Sequence, residues 1–176
     1  MSQPAELGSS AERLERDFRR AMGHVAAPVS VVTTYAGGVP SGTTVSAFDS
    51  LSMRPPLMTI ALQRSSHLLS VLTVGSRVGV NVLGSTQEAI ALTFARRDED
   101  RFAGVEWSLV DGVPRLDGTH AWIVLTVRER VAAGDHVVLI GDVVTAERGM
   151  GRPLTYHDRV FGTHRPHATE PESRAG

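Results

Sequence analysis

The feature that most constrains this chain is a change of rhythm at Gly23. Before it, Leu14, Phe18 and Met22 recur at the spacing of one helix face, with Ser10 as a candidate cap. After it, the apolar residues fall into short β-rich runs parted by glycine and proline. Strands are expected at 29–35, 39–48, 57–63, 77–83, 105–110, 120–134 and 136–149, and a short one around 153–156. Two helical stretches interrupt them. One covers 65–75. The other covers 85–96, where Ser85 and Glu88 have the spacing of a capping box. Many short strands, few helices and glycine turns predict a mainly β fold, a closed or partly closed antiparallel barrel. Pro55-Pro56 marks the entry of the 57–63 strand, since proline does not sit inside a central strand.

At 176 residues the chain is expected to form one domain. We place that domain at 13–164, with a disordered tail at 1–12 and a flexible one at 165–176. No cysteine is present, which excludes disulfides and thiolate chemistry. All 18 basic residues are arginine, so no lysine is available for a Schiff base or a phosphate loop. The net charge of −1 gives no electrostatic case for nucleic acid or an anionic membrane. No apolar run reaches the length of a membrane span, and the N-terminus lacks a signal-peptide core. The expectation is a soluble cytoplasmic protein.

The common catalytic signatures are missing: no GxSxG, HExxH or Walker loop, and no strand–GxGxxG–helix unit. Seven scattered histidines show no metal-ligand spacing, and no metal site is expected. What stands out is residues 41–52, where Ser41, Thr43, Thr44, Ser46, Ser50 and Ser52 crowd hydroxyls into one hairpin-like stretch. Small hydroxyl residues let a flat heteroaromatic ring lie close to the backbone. Strand alternation would put Thr44, Ser46 and Phe48 on one face and Thr43, Val45 and Ala47 on the other. Arg64-Ser65-Ser66 precedes a helix, a place suited to a phosphate. The plainer alternative is that a serine there caps the helix and Arg64 is solvated. Gly134-Asp135-His136, taken alone, reads as a turn.

Six segments in one order resemble the short-chain flavin reductases, the reductase components of two-component flavin-dependent monooxygenases. They are FRRAMGHVAAPVSVVTT, GTTVSAFDSLSMRPPLMTIALQRSSH, VNVL with the QEAIALTFA helix, DRF, GDHVVLIGDV and PLTYHDRVF. The resemblance spans about residues 16–162. It implies an FMN-binding split β-barrel of Greek-key type and a homodimer with the flavin near the subunit interface. It implies hydride transfer from NADH, or NADPH, to FAD or FMN, with reduced flavin diffusing to a partner monooxygenase in a natural-product or aromatic-hydroxylation pathway. Carried over by motif, Thr43, Thr44, Val45 and Ser46 would contact the isoalloxazine, with Ser50 at its border. Arg64, Ser65, Ser66 and His67 would sit at the phosphate end. Asn81, Arg101 and Phe102 would complete the pocket, with Tyr156 closing it and His136 approaching the nicotinamide. Two positions depart from the family pattern: Ala27-Pro28 stands where Thr-Gly is common, and Ala47 where a second serine is common. Such chemistry belongs to the two cofactors, so no triad is required. The competing reading is a flavoprotein that keeps FMN as a prosthetic group on the same barrel. A second competitor is a β-barrel interaction module whose hydroxyls only cap turns.

Overall fold

A computed structural model of the chain describes residues 4–96 and 100–167. Helix α1 runs from Pro4 to Gly23. It begins earlier than the Ser10 cap suggested, so residues 4–12, expected within a disordered tail, are helical. Residues 1–3 and 168–176 of the expected tails, and 97–99 of the charged loop, lie outside the described residues. The short strand β1 (Ala27–Pro28) follows, then β2 (Ser30–Ala36), β3 (Val39–Val45), β4 (Phe48–Met53) and β5 (Pro56–Gln63). Next come α2 (His67–Val71), β6 (Arg77–Val82) and α3 (Glu88–Ala95). The chain ends with β7 (Trp107–Val110), β8 (Val113–Leu116), β9 (Ala121–Ala133), β10 (His136–Arg148), β11 (Leu154–His157) and β12 (Val160–Thr163).

Seven strands form one antiparallel sheet in the order β3-β2-β6-β9-β10-β5-β4. Its two end strands, β3 and β4, are joined by Ser46 and Ala47, and the Ala61 N–H of β5 donates to the Ala47 carbonyl at 2.8 Å, carrying the β4–β5 ladder up to that joint. The result is a partly closed barrel. Period-two alternation fills it, as β5 shows by turning Met58, Ile60 and Leu62 inward. They meet Val32, Val80, Leu125 and Leu139 from neighbouring strands and the leucines Leu68, Leu69 and Leu72 around α2.

Strand β2 is buried on both faces from Ser30 to Thr34. Val32 points into the barrel; Val31 packs outside it against Phe94 of α3, Leu116 of β8 and Leu154 of β11. The outer layer therefore comprises α3, the β7–β8 hairpin and the three-stranded β1-β11-β12 sheet. Gly42 makes that layer possible, because a Cβ there would come within 2.9 Å of the Phe94 ring.

The expected capping box at Ser85 does not form. Helix α3 starts at Glu88 with Gln87 at its N-cap and no side-chain capping bond. Gln87 instead accepts the Gly84 N–H at 2.8 Å and donates to the Asp117 carbonyl at 2.8 Å, pinning the helix entry to the turn after β8. The helix expected over 65–75 is a single turn, α2. β1, β8 and β12 are additions to the expected strands; the expected 39–48 strand stops at Val45 as β3, and a further strand, β4, runs from Phe48 to Met53. No described helix is long and apolar enough to cross a membrane.

Candidate functional site

The open side of the barrel carries a cleft of about 550 Å³ between the end of β3, the end of β5, the start of α2 and the tip of the β9–β10 hairpin. Thr43, Thr44, Val45 and Ser46 form one wall; Ser65, Ser66 and His67 form another; Arg101 and His136 complete it. These segments meet because the 46–47 joint leads from β3 straight into β4, which pairs with β5, and α2 begins directly after β5.

The strict alternation expected along 43–48 stops at Val45, where β3 ends. Ser46 and Ala47 lie between strands, so all five residues from Thr43 to Ala47 reach the cleft. The Thr44 hydroxyl donates to the Ala91 carbonyl of α3 at 2.6 Å, which leaves its backbone and methyl as the surface it presents. Ser66 occupies the N-cap of α2 but makes no side-chain capping bond, so capping does not account for its hydroxyl.

Arg101 donates through Nη1 to the Gly42 carbonyl at 2.7 Å, which ties it to β3. Its Nε is buried without a hydrogen-bond partner. An unpaired buried donor is costly, and because this atom is shielded from the cleft itself, a ligand there would meet the rest of the guanidinium. Among the described residues the lining holds Arg101, His67 and His136 and no carboxylate. This donor set, a guanidinium and two serine hydroxyls in one lining, suits an anionic ligand with polar ring edges and fits a phosphate-bearing flavin.

His136 opens β10 immediately after the Gly134-Asp135 turn and pairs across the sheet with Gln63 of β5. Its Nδ1 lies 2.7 Å from Asp135 Oδ1. The hydrogen bond and charge of His136 hold the Asp135 carboxyl below its usual range, with a minor contribution from Arg64.

The other candidates are placed elsewhere. Arg64 is exposed beside Asp135, its N–H bonded to the Asp135 carbonyl at 2.9 Å, and it does not line the cleft. Ser50 is exposed on the edge strand β4 and bonds the Asp49 carboxylate through its N–H. Asn81 is wholly buried, with its amide serving β2 and β8. Phe102 stacks edge-on between Phe94 and Trp107 in the outer core. Tyr156 lines a second cleft of about 670 Å³ with Met22, Val25, Pro28, Phe48 and Arg159. The two clefts share Ser46, Ala47 and Ala61 as a common floor. Ala61, Leu62, Gln63 and Ala95 line the first cleft and were not among the expected site residues. The one hint was Gln63, a polar residue closing an apolar strand. Among the described residues no group of three or more His, Cys, Asp or Glu is placed to hold a metal ion.

A family model described as a flavin reductase like domain matches residues 22–165. A probable flavin reductase of Rhizobium meliloti (strain 1021) is 38% identical over 169 residues, covering 92% of this chain and 54% of that protein. The reductase component of a 4-nitrophenol 4-monooxygenase/4-nitrocatechol 2-monooxygenase from Rhodococcus opacus is 33% identical over 151 residues, covering 86% of this chain and 82% of that one. Among solved structures, the NADH:FAD oxidoreductase of Streptomyces globisporus C-1027, in complex with NAD and FAD fragments, superposes with a TM-score of 0.82 at 30% identity. That match covers 88% of this chain and 95% of the other.

Proposed function

Because this chain belongs to the flavin reductase family, we propose that it oxidises NADH or NADPH and reduces FAD or FMN for a separate monooxygenase. The observation that carries this reading is the convergence, in one cleft free of described carboxylates, of the 43–46 wall, Ser65-Ser66, the Arg101 guanidinium and His136. When bound, the flavin supplies the ring that accepts the hydride and the nicotinamide supplies the hydride itself.

The chain's own work is placement. The backbone and small side chains from Thr43 to Ser46 offer a close surface with donors and acceptors for a ring edge. Ser65, Ser66 and Arg101 offer donors for an anion. His136, at the rim of the same cleft, orients the second ligand. Correct placement of two reactants is worth several powers of ten in rate and requires no nucleophile. Tyr156, from the second cleft, is proposed to border the ring side of the shared floor.

We further propose a homodimer. The support is α1, whose Leu14, Phe18 and Met22 are 70%, 64% and 50% exposed along one stripe. An apolar helix face left in water is unfavourable until another surface covers it. The reaction is proposed to run in the cytoplasm, with reduced flavin released to an oxygenase.

The test is a steady-state assay that follows reduced nicotinamide by absorbance, with each nicotinamide paired with each flavin. Saturable oxidation that requires added flavin is expected, and the four pairs reveal both preferences. A protein that retained yellow flavin through desalting and oxidised no nicotinamide would instead hold FMN as a prosthetic group. For His136→Ala we expect a loss of about tenfold or more in kcat/KM for the nicotinamide, with a raised KM. Unchanged nicotinamide kinetics would remove His136 from the site.

A further inference from the structure

His136 does not meet the cleft alone. Strands β9 and β10 are joined by only two residues, since His136 pairs directly with Ala133. Gly134 takes the positive φ of 59°, the first central position that a tight hairpin turn reserves for glycine. Asp135 is therefore not needed for its backbone conformation, which other residues adopt equally well. Its side chain is 91% exposed, yet it is turned back onto the ring, with Oδ1 at 2.7 Å from His136 Nδ1. The His136 side chain is 36% exposed and lines the cleft. A turn aspartate with no further role would be free to point into water.

We propose that Asp135 is a positioning residue: it holds the His136 ring by Nδ1–H and thereby presents Nε2 to the cleft. In a neutral imidazole one nitrogen donates and the other accepts, and the partner of one nitrogen decides the role of the other. With Nδ1–H given to the carboxylate, Nε2 is an acceptor suited to an amide N–H, the group that the nicotinamide carboxamide carries. Without Asp135 the ring is free to rotate and to carry its proton on Nε2, which would meet that amide with a second donor. The other polar or charged groups near the ring are Gln63 across the sheet, Arg64 beside Asp135, and His67 and Arg101 across the cleft. Among the described residues, it is Asp135 that meets Nδ1. This assignment rests on the reading of His136 as the nicotinamide orienter.

The test separates the two. Long-range proton–nitrogen correlations of the imidazole rings, recorded on the full ligand-free chain at a pH where the ring is neutral, report the tautomer. The His136 signals are identified by their absence in His136→Ala. In the unaltered protein we expect the Nδ1–H form, and in Asp135→Ala its loss. In the steady-state assay Asp135→Ala should raise the nicotinamide KM and lower kcat, about tenfold together. Asp135→Asn, which keeps an acceptor oxygen, should recover most of both. An Nε2–H tautomer in the unaltered protein overturns the proposal. So does an Asp135→Ala variant with unchanged tautomer and kinetics while His136→Ala is impaired. If His136→Ala itself turns over normally, the orienter role falls, and the tautomer measurement still decides whether Asp135 holds the ring.

Discussion

Asn81→Ala is expected to lower the unfolding free energy by about 3 kcal/mol while leaving the flavin dissociation constant of the folded protein within about twofold. The side chain is wholly buried in β6. Its Nδ2 donates to the Val31 carbonyl at 3.1 Å, the Thr33 hydroxyl at 3.3 Å and the Pro114 carbonyl at 3.4 Å. Its Oδ1 accepts the Leu116 N–H at 2.7 Å. One amide thus fastens β6 to β2 and to the β8 strand that lies over them. Truncation leaves the Leu116 N–H without its Asn81 acceptor in a dry interior, where an unmet group costs about 1–3 kcal/mol. Chemical denaturation with and without flavin decides the matter. A stable variant with weakened flavin binding would return Asn81 to the site.

The second large effect is expected at Arg101. Arg101→Ala should weaken flavin binding by about 30-fold, or about 2 kcal/mol, the usual size of a hydrogen bond from a charged donor. Two contacts decide the design of the test. Nη1 is engaged with Gly42, so removing the side chain also loosens the β3 wall. Nε is buried, so a ligand in the cleft would be met by the rest of the guanidinium. Arg101→Lys keeps the charge but cannot serve both places through one planar fork, so it should bind with intermediate affinity. Titrating flavin against each variant, beside a thermal unfolding curve recorded without flavin, separates lost ligand contact from lost wall. Unchanged flavin affinity in both variants would mean that Arg101 serves the β3 wall and not the ligand.

How far the sequence predicts this architecture varies by segment. The strands were legible where β-branched and aliphatic residues alternate, as in β2, β5, β9 and β10. β12 was not, because the turn before it is made by Asp158 and Arg159 at positive φ rather than by glycine or proline. β8 was hidden by Pro114 in a four-residue strand. The capping box failed for a different reason: a tertiary partner, Gln87 on Gly84 and Asp117, replaced the local pairing of Ser85 and Glu88. Within the candidate cleft, Thr43–Ser46 and Ser65–His67 were visible since each wall is contiguous in sequence. Ala61, Gln63 and Ala95 reach it only through strand register and helix placement, which local pattern does not encode. Asn81 shows the converse. A lone amide in an apolar strand looks the same in sequence whether it binds a ligand or ties three strands together.

The shared floor of the two clefts carries a consequence for how such a protein can change. Ser46, Ala47 and Ala61 face both compartments, so a substitution there is felt on both sides at once. Enlarging Ala47 to narrow one cleft would also reshape the other. A change confined to one cleft is available at residues that line only one, such as Arg101 or Tyr156, but not at the floor. An engineer wishing to alter a single preference should begin at the rims, and a lineage that swaps the floor residues should be found to have changed both.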